Sequence, residues 1–155
     1  MAAALQIVAV GRLSPQHAPA FEHYRRLVAG LVPLTVREVR EVALQGRAPA
    51  EVMREEANRV LRQLEGARRV VALDVEGRSY ASRQFADWLE RSFEGGGAVA
   101  FVLGGSLGLD ERVKERADEL LSLSPLTLPH QLARVVLAEQ LFRALKIARG
   151  ERYHH

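Results

Sequence analysis

The sequence predicts an α/β domain built on a parallel sheet with helices on both faces, and three observations predict it. Short, continuously apolar runs stand at residues 5–10, 70–75 and 98–103. Segments of helical periodicity alternate with these runs along the chain. The runs lack the in-out alternation of a half-solvated antiparallel sheet, so each strand should be covered on both faces. At 155 residues the chain fits a single domain and can bury a substantial core.

The elements follow in order. Residues 5–10 form a buried strand ended by Gly11. Ser14 as N-cap and Pro15 at the first helical position predict a helix over 14–30. Pro33 precedes residues 34–42, where Val36, Val39 and Val42 are mixed with charges, as in a strand at a sheet edge. Residues 50–64 read as a helix with Val52, Met53, Val60, Leu61 and Leu64 inward and a charged outer face. Residues 70–75 are the clearest central strand. Ser79 or Ser82 then caps a helix over 83–93, and Gly95, Gly96 and Gly97 turn the chain into the strand 98–103. Asp110 caps a helix to residue 120, with a very short strand expected at 121–123. The last helix spans 131–149. Leu137, Leu141, Ala144, Leu145 and Ala148 give it a broad apolar face, while Leu132, Val136 and Ile147 lie elsewhere. A helix apolar on more than one side packs against more than the sheet, either a second subunit or another part of the same chain.

Composition narrows the chemistry. There is no cysteine, which removes disulfides, thiolate metal sites and cysteine nucleophiles. No His/Asp/Glu set has metal-ligand spacing, so no metal is expected. No apolar run reaches the roughly 18 residues of a membrane span, and Met1 to Leu5 lacks a signal-peptide pattern, so a cytoplasmic protein without membrane contact is expected. The formal charge of +3 lies wholly between residues 134 and 155, because residues 1–133 sum to zero. A localised basic end suits an anionic partner, with nucleic acid first, or a solvated helix end complementing its dipole.

Ligands of such sheets collect beyond the carboxyl ends of the strands, so three loops compete for function. One follows Asp74, which could receive a hydroxyl or serve as a turn residue. The second is Gly104-Gly105-Ser106-Leu107-Gly108. It is neither a dinucleotide fingerprint nor a P-loop, but its glycines permit close approach of a flat ligand. The third, residues 122–130, holds Pro125 and Pro129 around Leu123, Leu126 and Leu128. Two prolines exclude a long helix or central strand, and the leucines make it too apolar for a solvated loop. A stiff, packed loop of this kind can offer backbone groups to a ligand. His130 opens the helix behind it, as cap or substrate contact. Arg134 falls within the apolar face one turn on, where a cation needs an internal carboxylate or an anionic ligand.

Several stretches together resemble one family. They are Gly104-Gly105-Ser106-Leu107-Gly108-Leu109, Ser124-Pro125-Leu126-Thr127-Leu128-Pro129-His130, Ala133-Arg134, Glu139-Gln140 and Gly150-Glu151-Arg152-Tyr153-His154, with Ile7 to Leu13 and Leu73 to Gly77 in agreement. The chain resembles, over its whole length, the H-type ribosomal RNA large subunit methyltransferases, minimal members of the SPOUT superfamily. The resemblance implies one SPOUT domain over residues 1–155 with a C-terminal deep trefoil knot at about 70–155, and a homodimer. It implies S-adenosyl-L-methionine as methyl donor, S-adenosyl-L-homocysteine as product, no metal, and methylation of N3 of a pseudouridine in the large-subunit hairpin that faces the small subunit of assembled ribosomes. Carried over by position, the cofactor pocket is Leu73, Gly104, Leu123, Ser124, Pro125, Leu126, Thr127 and Leu128. His130, Arg134, Arg143, Tyr153 and His154 would position the substrate, with His130 and His154 the candidate general bases. The family's usual terminal Tyr-His-Lys or Tyr-His-Arg is Tyr153-His154-His155 here. Another SPOUT enzyme acting on transfer RNA and a non-catalytic ribosome-binding assembly factor are the alternatives.

Overall fold

The computed structural model describes residues 2–151. Among them the elements run β1 (Ala3–Val10), α1 (Ala18–Ala29), β2 (Leu34–Val39), α2 (Pro49–Gln63), β3 (Arg69–Arg78), α3 (Ser82–Ser92), β4 (Gly97–Leu103), α4 (Glu111–Arg116), β5 (Glu119–Leu121) and α5 (His130–Ala148). The strands form one sheet in the order β2-β1-β4-β3-β5, and every pairing is parallel. The expected edge strand, β2, does lie at an edge.

The apolar runs are explained by two cores. Leu5, Ile7 and Ala9 of β1, Val71 of β3, and Val99, Phe101 and Leu103 of β4 face one side, against α1, α3 and α5. The alternate residues Val8, Val10, Val70, Ala72, Ala100 and Val102 face the other, against α2 and α4. A strand covered on both faces has no polar face to show. Helix α5 packs between α1 and α3. Its Leu137 and Leu141 are fully buried, whereas Leu132 is exposed and Val135, Val136 and Ile147 are half-buried. The second apolar side foreseen in the sequence is therefore left partly open.

Several boundaries differ from expectation. Helix α1 begins at Ala18, not at Ser14. The Ser14 backbone N–H is bound to Gln131 Oε1 at 2.8 Å, and residues 14–17 form a turn. Ser82 is the first residue of α3 rather than its cap, and the Ala81 N–H is satisfied by Gln84 Oε1 at 2.9 Å. Asp110 caps α4 as expected, accepting the Arg112 N–H at 2.9 Å. That helix stops at Arg116 because Asp118 is drawn into the sheet. Its N–H donates to the Val70 carbonyl and its carboxylate accepts the Val70 N–H, each at 2.8 Å. β5 therefore starts at Glu119.

β3 extends beyond residue 75 through an irregularity. Leu73 and Arg78 both lie opposite Leu121, so residues 74–77 loop out between them. Gly77 makes this possible. A Cβ there would stand 2.6 Å from the Leu120 carbonyl carbon and 2.7 Å from the Leu121 nitrogen. No side chain larger than hydrogen fits where the two backbones meet.

Candidate cofactor site

The order β4-β3-β5 brings three strand ends side by side, so the three loops expected to compete for function meet. They enclose a cavity of about 450 Å³. Of the eight expected cofactor residues, Leu73, Gly104, Leu123, Ser124, Leu126, Thr127 and Leu128 line it, and so does His130 at the start of α5. Pro125 belongs to the same loop but does not line the cavity. Asp74, Val75, Gly105, Ser106, Gly108, Leu109 and Ser122 also contribute to the wall, with Pro129 and Ala133.

The leucine-rich loop is held by its own polar groups. The Ser122 N–H donates to the Arg78 carbonyl at 2.9 Å, which anchors the loop to β3. Ser122 Oγ, buried, donates to the Ser124 carbonyl at 2.9 Å, and Ser124 Oγ accepts the Leu126 N–H at 2.9 Å. Proline stiffening and these bonds fix the backbone while Leu126, 78% exposed, stands at the rim. Gly104 lines the cavity and is also required by its own loop. A Cβ there would lie 2.5 Å from the Gly108 carbonyl carbon, across the turn closed by the Gly105–Gly108 bridge.

Asp74 is tied on both oxygens. Oδ2 accepts from Lys114 Nζ of α4 at 2.8 Å, and Oδ1 accepts the Glu76 N–H at 2.9 Å. The Lys114 hydrogen bond first, then the Glu76 N–H, hold the Asp74 carboxyl below its ordinary range, so it is ionised at neutral pH.

Arg134 does not line the cavity. It is 1% exposed, with Nη1 donating to Glu38 Oε2 at 2.8 Å and Nη2 to the carbonyls of Val10 and Gly11 at 3.2 and 3.0 Å. Burial pulls its pKa down and Glu38 opposes that. Of the two readings of this cation, the internal carboxylate describes its contacts. Arg143 pairs with Glu139 one turn back on α5, and Lys146 with Glu151 at 2.7 Å. The basic end of the chain is thus partly neutralised by its own acids. Tyr153 and His154 lie outside the described residues, as does His155.

The sequence did not disclose Lys114 as a partner of Asp74, or Glu38 as a partner of Arg134. Both pairs are non-local and have no spacing signature. Buried Ser122 was signalled only by its place next to the Ser124-Pro125 turn. Among the described residues no three His, Asp or Glu side chains gather as metal ligands, and no helix is long and apolar enough to cross a membrane.

Comparison with known proteins bears on the family and the fold. A family described as "Predicted SPOUT methyltransferase" matches residues 3–154. A Rubrobacter xylanophilus protein named ribosomal RNA large subunit methyltransferase H is 51% identical over 154 residues, with 96% of each chain covered. A protein of the same name from Anaeromyxobacter is 46% identical over 151 residues, covering 97% of this chain and 98% of that one. Among solved structures, a probable methyltransferase from Bordetella pertussis superposes with a TM-score of 0.60 at 17% identity, covering 92% of this chain and 95% of that one. A probable methylase family protein from Haemophilus influenzae gives 0.59 at 14% identity, covering 100% and 72%. The two structures speak for the fold alone, but the near-complete matches at high identity are decisive: the chain belongs to the SPOUT methyltransferase family, alongside relatives named ribosomal RNA large subunit methyltransferase H.

Proposed function

We propose that this protein transfers a methyl group from S-adenosyl-L-methionine to N3 of a pseudouridine in large-subunit ribosomal RNA, acting in the cytoplasm on assembled ribosomes and releasing S-adenosyl-L-homocysteine. One observation supports the donor above others, and it is the chemistry of the cavity wall. The described residues that line it include no lysine or arginine to meet a phosphate, many leucines and glycines, and a single carboxylate. Such a wall suits an uncharged nucleoside with a cationic tail. A cavity of about 450 Å³ is the right size for it, since small-molecule sites run from about 300 to 1,000 Å³. The names of the relatives support the ribosomal substrate.

In this reading the backbone of residues 123–128 holds the adenine edge, while Leu73 and Leu123 exclude water from its faces. The sulfonium supplies its own leaving group, a neutral thioether, so the protein needs no acid on that side. What remains is alignment and loss of the N3 imide proton. His130, at the cavity and the head of α5, or His154 accepts that proton. Arg143, Tyr153 and His154 orient the base and RNA backbone, some of them from a partner subunit. Arg134 acts as a positioning residue, by fixing the Val10–Gly11 corner under the head of α5.

The half-open second side of α5, with Leu132 exposed and Val136 half-buried, supports a homodimer that uses this helix. Membership of the SPOUT family supports one domain over residues 1–155 with a knot at about 70–155.

The test is transfer of labelled methyl to intact ribosomes, isolated large subunits and transfer RNA from cells lacking the enzyme. Label in intact ribosomes, mapped to N3 of a pseudouridine, is the expected result. Label confined to transfer RNA refutes the substrate. No label anywhere despite donor binding refutes catalysis in favour of a binding factor.

A further inference from the structure

The cavity wall contains one electrostatic asymmetry. Asp74 lines the cavity, and Lys114, its partner at 2.8 Å, does not. The lysine approaches from α4, where Glu111 also faces it at 3.7 Å. The pair is therefore neutral as a whole but presents its negative end to the ligand. Both members are largely withdrawn from solvent, with side chains 12% and 27% exposed, so bulk water screens them incompletely. The Asp74 contact with the Glu76 N–H at 2.9 Å fixes the carboxylate's direction. No other acid or permanent cation among the described lining residues competes with it.

We infer that the Asp74–Lys114 pair sets the preference of this cavity between the sulfonium methyl donor and its uncharged thioether product. The inference rests on the donor proposed above. The two ligands share nearly all their surface and differ by one methyl group and one positive charge. Apolar walls and loop backbone act on both almost alike, so discrimination falls to the charged groups. A bare carboxylate would favour the cation strongly. Lys114 moderates that field without abolishing it, because the lysine stands behind the carboxylate. The result is a cavity that prefers donor over product and still exchanges them.

Because the two partners have opposite charge, their removal acts in opposite directions. Asp74→Asn leaves the Lys114 ammonium behind the wall with only the solvent-exposed Glu111 at 3.7 Å to oppose it, and should lower the ratio of donor to product affinity. Lys114→Met leaves a bare carboxylate and should raise it. Each shift should be about fivefold, the size expected of a unit charge acting across a small, partly solvated cavity. The double variant should fall between them, and Lys114→Arg should keep the wild-type ratio.

The measurement is calorimetric titration of each purified protein with S-adenosylmethionine and, separately, with S-adenosylhomocysteine, without RNA. Opposite shifts in the two single variants are the expected result. Ratios unchanged within about twofold, even with both affinities weakened, overturn the inference, because a merely loosened cavity loses both ligands together. Lys114→Met leaves the Asp74–Glu76 contact in place and decides the matter alone if Asp74→Asn does not fold. A wild-type protein that binds neither ligand refutes the underlying reading of the cavity, an outcome distinct from an unmoved ratio.

Discussion

Gly77→Ala should be among the most damaging single-carbon additions in this chain. The new Cβ would meet the Leu120 carbonyl carbon at 2.6 Å, its oxygen at 2.7 Å and the Leu121 nitrogen at 2.7 Å. All three atoms are main chain, so no rotamer change relieves the contact. Restoring ordinary separation requires β3 and β5 to part by roughly 0.8 Å. That movement breaks the Ser122 N–H bond to the Arg78 carbonyl and loosens Leu121 from its partners on β3. Two weakened backbone bonds at about 1 kcal/mol each, with about 1–3 kcal/mol of overpacking strain, give a loss of roughly 3–5 kcal/mol. For a chain of this size the melting temperature should fall by about 10 °C. Leu73 and Leu121 line the cavity on either side of this contact, so S-adenosylmethionine binding should weaken as well. Urea unfolding followed by circular dichroism measures the first effect and calorimetric titration the second. Gly30→Ala is the control. Its Cβ meets the Leu27 oxygen at an ordinary 3.5 Å on a backbone with φ −72°, so stability should rise by about 0.4–1 kcal/mol. A Gly77→Ala protein that unfolds at the same urea concentration as Gly30→Ala would refute the steric argument.

Arg134→Ala should destabilise by about 3–5 kcal/mol in urea unfolding, since it strands two carbonyls and opens a cavity beside α5. Glu38→Gln should lose only about 1 kcal/mol, because the Glu38 side chain is 41% exposed and both carbonyl contacts of Arg134 survive. Glu56 is buried and accepts the Val42 N–H at 2.9 Å, and desolvation raises its pKa above 4.5. A carboxyl with a raised folded pKa favours the native state at low pH and loses that contribution as pH rises from about 4.5 through the folded value. Glu56→Gln keeps an acceptor for Val42 without the buried charge. It should therefore be more stable than wild type at pH 7, and the difference should shrink in melts taken near pH 4.

Local patterning in the chain carries the fold class and the site's raw material. Apolar runs at 5–10, 70–75 and 98–103 could be satisfied only by a sheet covered on both faces, and hydrophobic periodicity is local enough to be read directly. The two-proline, leucine-rich loop was legible for the same reason, because proline's restrictions act on its immediate neighbours. Seven of the eight residues expected around the cofactor line one cavity. The tertiary structure decided everything that depends on which distant segments meet. The strand order β2-β1-β4-β3-β5 puts β5 beside β3, and only then do the loops after residues 73, 103 and 121 close on one another. Asp74 finds Lys114 forty residues on, and Arg134 finds Glu38 ninety-six residues back. Helix α1 begins at Ala18 rather than Pro15, with the Ser14 hydroxyl against His17 Nδ1 at 3.0 Å and the Ser14 N–H held by distant Gln131, and α4 ends early because Asp118 is claimed by Val70. Long-range pairings of this kind leave no period in the sequence. A charge or an amide declares that it needs a partner, and only the packed chain says which one it has.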